Sequence, residues 1–262
     1  MNARSDASIT VRQALVQSGL VPLDAQVLLA HALNVDRAWL AAHATDPLDV
    51  DVAQRFFELA RRRREGHPVA HLTGRREFWS LDLCVTPDVL IPRPETEALV
   101  ECALARLPKD RALRVLDLCT GSGAIALALA RERPNARITA SDASAAALVV
   151  ARENAQRLGV ANVAFVESNW YAALAPERYD MIVSNPPYIA QNDPHLCEGD
   201  VRFEPRSALV SGPDGLDALR IIVADAPQRL MAGGWLIVEH GYDQADAVRA
   251  LFAGAGLEDI AS

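Results

Sequence analysis

Four consecutive residues, Asn185-Pro186-Pro187-Tyr188, close the short apolar run that begins Tyr179-Asp180-Met181-Ile182-Val183. An apolar run stopped by proline reads as a buried strand with an abrupt end. Two successive prolines donate no main-chain hydrogen bond and fix their own φ. Each also pushes the residue before it toward an extended conformation. The product is a stiff turn that presents three groups: the Asn185 amide, the Pro186 carbonyl and the Tyr188 ring. Two acceptors beside an aromatic face suit a planar group that carries an NH2. The competing reading is a strand-ending loop whose Asn185 side chain caps its own backbone.

A second constellation lies upstream. Asp117-Leu118-Cys119-Thr120-Gly121-Ser122-Gly123 joins a predicted strand to a predicted helix, and its glycines permit a sharp turn and close approach of a ligand to the backbone. Asp142 stands 19 residues after Gly123, at the end of the next strand, where a carboxylate can accept both ribose hydroxyl protons of a nucleoside. Gly121-x-Gly123-x-x-Ala126 also satisfies the dinucleotide pattern, so an NAD-linked dehydrogenase competes. Two features favour another ligand. Asp117 would sit close to a pyrophosphate but can anchor an ammonium through the loop, and a dehydrogenase has no need of the Asn-Pro-Pro-Tyr turn. A nucleoside with a cationic amino-acid tail meets both conditions, and S-adenosyl-L-methionine is such a ligand. Asn169 and Trp170, after the third strand, then border the adenine; ordinary core packing is the other reading of Trp170.

These turns need a sheet to hold them. From residue 98 onward, predicted strands alternate with helices: strands over 113–118, 137–140, 163–166, 179–183 and 235–238, helices over 124–131, 144–158 and 216–230. Ser144 caps the middle helix and Gly159 stops it. That order makes an α/β domain with a mostly parallel sheet and helices on both faces. Residues 1 to about 70 read as four or five short helices, from apolar positions such as Ile9, Val11, Leu15 and Val16, then Leu23, Val27 and Leu28. Asp24 and Asp51 fall near helix starts, where negative charge is favoured. Arg61-Arg62-Arg63-Arg64 closes the last of these helices before Gly66 and Pro68, as cations at a helix C-terminus do; contact with an acidic or RNA-containing partner is the alternative. Glu77-Phe78-Trp79 and Leu81 to Val85 form a hairpin around Ser80 that links the two parts. The Pro92-Arg93-Pro94-Glu95 stretch is either a hinge or part of a ligand cleft.

A chain of 262 residues with net charge −8 is long enough for two domains, and the acidic balance argues against a phosphate-binding basic face. Neither a membrane span nor a secretory leader is expected. Cys84, Cys102, Cys119 and Cys197 show no paired spacing, so no metal site or disulfide framework is expected, and reduced thiols fit a cytoplasmic protein.

The chain resembles the bacterial methyltransferases that modify the glutamine of peptide chain release factors. The resemblance runs over nearly the whole sequence: the helical N-terminal part, Gly74-Arg75-Arg76-Glu77-Phe78-Trp79, Ile91-Pro92-Arg93-Pro94-Glu95-Thr96-Glu97, the Asp117–Gly123 turn, Asn185–Tyr188, and Asp200-Val201-Arg202-Phe203-Glu204-Pro205. It implies a class I methyltransferase fold, Rossmann-like with a seven-stranded type of sheet, divided into a helical recognition domain (1–73), a hairpin linker (74–92) and an S-adenosylmethionine-dependent domain (93–262). It implies a cofactor site at Cys119, Thr120, Gly121, Ser122, Gly123, Asp142, Trp170 and Asn185. Asn185 and the main chain of Pro186 would hold the target glutamine of a Gly-Gly-Gln loop, with Pro187 beside them and Tyr188 packed on the amide plane. The implied enzyme is a cytoplasmic monomer whose partner is a class 1 release factor, with no metal, membrane or direct nucleic-acid binding.

Three departures stand out. Cys119 replaces a usual glycine, Asn169 replaces a common Asp, and the family pattern runs past Ser262 into a final strand, without which the sheet edge after Val238 lacks its usual neighbour. Rival readings are an adenine amino-group methyltransferase, which shares the proline turn but must hold phosphates, and a non-catalytic scaffold that keeps the pocket.

Overall fold

A computed structural model describes residues 9–262. The chain divides into two compact units, 1–74 and 75–262. The first eight residues of the expected helical domain lie outside the described residues.

The first unit holds five helices: α1 (Val11–Gln17), α2 (Pro22–Leu33), α3 (Arg37–Ala42), α4 (Val50–Arg64) and α5 (Val69–Thr73). Each start has a local cause. Thr10 and Gln13 form a reciprocal capping box at α1, Pro22 occupies the first turn of α2, and Asp36 and Asp49 accept backbone N–H groups at α3 and α4. Val11, Ala14, Leu28, Leu29, Leu40 and Phe56 form the core of the unit. Val16 and Leu23, counted above as apolar face positions, are instead exposed, Val16 at 77%. Short helices have room for only one buried stripe, and these two fall off it.

The arginine run ends α4, but α4 is not the last helix of the unit, since α5 follows Pro68. Three of its four arginines find partners within the unit. Arg61 pairs with Glu58 and Glu65, Arg63 donates to Asp24 at 2.7 Å, and Arg64 donates to the Ser18 carbonyl.

The second unit opens with the hairpin β1 (Arg75–Phe78) and β2 (Leu81–Cys84). Trp79 and Ser80, at φ of 51° and 56°, make its two-residue turn, a left-handed pair that matches strand twist. Expected as a linker, the hairpin buries Phe78, Leu81 and Leu83 in the core of the second unit. Asn154, fully buried, fastens it: its amide oxygen accepts from the Cys84 N–H at 2.7 Å and its nitrogen donates to the Cys84 and Ser122 carbonyls at 3.0 Å.

After a 3-10 turn over Pro94–Thr96 come α6 (Glu97–Leu104), β3 (Arg114–Leu118), α7 (Ala124–Glu132), β4 (Arg137–Asp142), α8 (Ala145–Leu158), β5 (Val163–Glu167), β6 (Tyr179–Ser184), α9 (Asp217–Arg229), β7 (Leu230–Val238) and α10 (Ala245–Gly254). The strands form one parallel sheet in the order β5-β4-β3-β6-β7. The resemblance implies seven strands; the main sheet among the described residues has five, with β7 at one edge. β7 begins at Leu230, earlier than the expected Trp235, because its register shifts between Tyr179 and Met181 of β6, across the Gly233-Gly234 stretch. The helix α10 has no counterpart in the sequence reading.

The strand order positions the site. The chain starts in the middle at β3, moves outward through β4 to β5, then returns to the other side of β3 as β6. The order reverses between β3 and β6, and the crevice outside the carboxyl ends at such a reversal is where open α/β sheets bind ligands. Leu118 and Ser184 are register partners there, so the two turns read from the sequence leave the sheet side by side.

Candidate active site

A cavity of about 290 Å³ opens at this reversal. Cys119, Thr120, Gly121, Ser122, Asp142, Trp170, Asn185 and Pro187 all line it, so residues far apart in sequence share one wall. Asn169 lines it too. Gly123, Pro186 and Tyr188, also expected in the site, are not on its wall.

Each displacement has a cause. Gly123 caps α7 at φ 85°, and a Cβ there would lie 3.1 Å from Leu127 and 3.3 Å from Ala151. Its missing side chain therefore admits helix packing behind the turn. Pro186 is buried, between two residues that reach the wall. Tyr188 sends its hydroxyl to the Glu239 Oε1 at 3.0 Å, as a buried phenol must find a partner. Burial and the neighbouring Glu239 carboxylate push that phenol above its ordinary pKa.

The glycine turn is held by two carboxylates. Asp117 is 0% exposed and lies beneath the turn rather than on the cavity wall. Its Oδ2 accepts from the Thr120 hydroxyl at 2.7 Å and from the Ala126 N–H at 3.1 Å, while its Oδ1 is buried with no hydrogen-bond partner. Burial pushes its pKa up to about 7, against those two donors. Asp142 Oδ2 accepts from the Gly121 N–H and its Oδ1 from the Ser144 N–H, both at 2.9 Å. Burial raises Asp142 as well, opposed by those backbone donors. Cys119 occupies the left-handed region at φ 60°, which explains why a glycine would be at ease there. Burial drives its thiol well above the usual range, which keeps it protonated on the cavity wall.

The proline turn is held differently. Asn185 Nδ2 donates to the Thr96 Oγ1 at 3.0 Å, and the Thr96 hydroxyl donates to the Glu239 Oε2 at 2.7 Å. Glu239 directly follows β7, and its N–H donates to the Ser184 carbonyl at 3.0 Å, which sets its side chain beside the turn. Thr96 and Arg93, from the proline-rich stretch, both line the cavity, so that stretch is cleft wall and not merely a hinge. Arg93 donates to both oxygens of Glu204, at 2.7 and 2.8 Å, tying in the long connection after β6. The Glu204 side chain is fully buried, and burial pushes its pKa up to about 7 although Arg93 pulls the other way.

Thr96, Glu239, Arg93 and Glu204 are the neighbours of the site that the sequence did not assign. Thr96, Arg93 and Glu204 sit inside stretches already singled out for the resemblance; Glu239 carries no local signal beyond being an acid just past a strand.

The comparisons with known proteins fall on the same two units. Residues 96–198 match the family described as Methyltransferase small domain, and residues 6–74 match the PrmC N-terminal domain. The chain is 58% identical to the release factor glutamine methyltransferase of Xylella fastidiosa (strain Temecula1), over 92% of this chain and 87% of that protein. The chain belongs to the release factor glutamine methyltransferase family. The enzyme of that name from Burkholderia pseudomallei is 52% identical over 100% of this chain and 94% of its own length. In structure, the chain is similar to a SAM-dependent methyltransferase from Agrobacterium tumefaciens, with a TM-score of 0.51, 19% identity, and coverage of 70% of this chain and 58% of that one. That likeness concerns the fold, the class I methyltransferase fold. Among the described residues no helix is long and apolar enough to cross a membrane, and no cluster of acidic, His and Cys side chains could hold a metal ion.

Proposed function

We propose that this chain methylates the side-chain amide nitrogen of the glutamine in the Gly-Gly-Gln motif of a class 1 peptide chain release factor, with S-adenosyl-L-methionine as methyl donor. One observation carries the reading: the Asn185 amide has its nitrogen committed to Thr96 and its oxygen left over, beside the glycine turn at the sheet reversal.

The residues present fit the donor. A buried Asp117 oxygen without a partner, under a turn whose Gly121 has open space around its Cα, suits an ammonium held through the loop. Asp142 uses one lone pair of each oxygen on backbone N–H groups, which leaves capacity to accept from two ribose hydroxyls. Trp170 and Asn169 supply an apolar face and an amide for a base. When bound, the donor supplies a methyl group on a positively charged sulfur, which leaves as a neutral thioether and needs no general acid.

A carboxamide nitrogen is a weak nucleophile because its lone pair is delocalised into the carbonyl. The Asn185 oxygen accepts one hydrogen of the target amide and the Pro186 carbonyl the other; no hydrogen bond within the chain reaches that carbonyl among the described residues. Two fixed acceptors aim the nitrogen and favour the positive charge that grows on it. Alignment of this kind lowers a barrier by roughly 7–11 kcal/mol in favourable cases. Tyr188 steadies the turn through Glu239, and its ring is left to pack on the amide plane. The product nitrogen then loses a proton to water. The helical unit supports a role in gripping the release factor through its match to the family's N-terminal domain. The net charge of −8 favours a protein partner over nucleic acid, met by a monomer in the cytoplasm.

The test is mass spectrometry of a release factor after incubation with this protein and donor. An increase of about 14 daltons, CH3 in place of H, is expected on the Gly-Gly-Gln peptide. Transfer to an adenine-containing DNA or RNA offered alongside, with none to release factor, would overturn the reading.

A further inference from the structure

Asn185 can do this work only if its oxygen, and not its nitrogen, faces the target amide. An Asn side chain has an acceptor at one end and two donors at the other, in nearly the same shape, so something must choose between the two orientations. The turn itself cannot, because Pro186 and Pro187 have no N–H to offer.

We infer that Glu239, acting through Thr96, sets the orientation of the Asn185 amide and is a positioning residue for the methyl transfer, together with Thr96. This rests on the function proposed above. A carboxylate only accepts hydrogen bonds. Glu239 takes the Thr96 hydroxyl proton on Oε2 at 2.7 Å and the Tyr188 hydroxyl proton on Oε1 at 3.0 Å. With its one proton spent, Thr96 Oγ1 can only accept from Asn185, 3.0 Å away. Asn185 must therefore turn its NH2 toward Thr96, and its oxygen is the end left for the cavity. Thr96 is 4% exposed, so water does not readily take over its place in the chain of bonds. One carboxylate from the end of β7 thus pins both ends of the proline turn, Asn185 through Thr96 and Tyr188 directly.

Thr96→Val keeps the shape and removes the relay, so kcat should fall by roughly ten- to a hundredfold while donor affinity by calorimetry stays within about twofold. Thr96→Ser, which restores the hydroxyl, should recover most of that loss. In an Asn185→Ala background Thr96→Val should cost less than about twofold more, because the group it orients is gone. Equal losses in both backgrounds, or a Thr96→Val enzyme as fast as the wild type, overturn the inference. If Thr96→Val fails to bind donor and so is misfolded, Glu239→Gln is read in the same cycle with the same outcomes. A second readout is independent of turnover. In 15N-labelled protein the Asn185 side-chain NH2 hydrogens should exchange about tenfold more slowly in the wild type than in Thr96→Val, as expected of a bonded donor. Equal exchange sinks the orientation claim whether or not the enzyme is active. A wild type that methylates no release factor, yet shows the protected NH2, sinks only the proposed function.

Discussion

The two turns that build the cavity start from adjacent, register-paired residues, Leu118 of β3 and Ser184 of β6, yet they are held in opposite ways. The glycine turn keeps its backbone N–H groups: Gly121 donates to Asp142, which Ser144 holds from the other side, and Ala126 in the first turn of α7 donates to Asp117. The proline turn has lost those donors at two successive positions, so two side-chain hydroxyls, that of Thr96 from a distant segment and that of Tyr188 in the turn itself, hold it through Glu239. A turn rich in N–H groups is fixed by nearby carboxylates and stays open for a ligand to approach. A turn stripped of them is stiff in itself but needs outside help to aim its one functional side chain.

If that contrast is right, substitutions in the two turns separate catalysis from donor binding. The largest effect should come from Asn185→Ala, a loss of about 10²–10³ in kcat, comparable to removing one polar stabiliser of a transition state, with donor affinity nearly unchanged in calorimetry. Equal loss of both would make Asn185 a structural residue and erase the distinction. Asp142→Ala is the mirror image. Donor affinity should fall by roughly ten- to a hundredfold, as two hydrogen bonds to a charged group are lost; unchanged affinity removes Asp142 from the ribose site.

The carboxylates beneath and beside the site sharpen the contrast through pH. Asp117 has a folded pKa pushed up to about 7 by burial, so between about pH 4 and 7 the native state holds a proton that the unfolded chain has released. The native state binding more protons means stability falls as pH rises through that window and levels off above it. Asp117→Asn cannot ionise, so it should flatten the fall while weakening donor binding. Glu204, also raised to about 7, acts in the same direction and accounts for the slope that remains. Urea unfolding at several pH values measures it, and an unchanged slope would show that Asp117 is not the group responsible. The smallest effect is expected at Cys119→Gly. Relieving a left-handed non-glycine residue should stabilise the protein by about 1 kcal/mol, seen as a higher Tm; no change would mean that the side chain makes compensating contacts.

Much of the molecule was legible in its residues. Ser144 and Gly159 marked both ends of α8, and the alternation of apolar runs with helical stretches specified the parallel sheet. The two turns and Asp142 were read from local chemistry, because glycine, proline and a carboxylate at a strand end each have a narrow set of uses. The residues say less where a contact depends on what lies across from them. Beside the ligand roles expected of them, Gly123 also makes room for helix packing and Tyr188 is also tethered by its hydroxyl, and neither contact is visible in the local sequence. The short strands of the hairpin likewise give no hint that Asn154, some 70 residues away, fastens it within the second unit.

What the amino-acid sequence alone determined is therefore everything governed by backbone preference and short-range pattern: the strands, the caps, the stiff proline corner, the open glycine corner and the carboxylate between them. What only the tertiary structure decided is which end of Asn185 faces the cavity. That choice runs through Thr96, 89 positions away, to Glu239, 143 positions beyond Thr96. No local signal can encode it, since a hydrogen-bond chain has a direction only when all its members are in place.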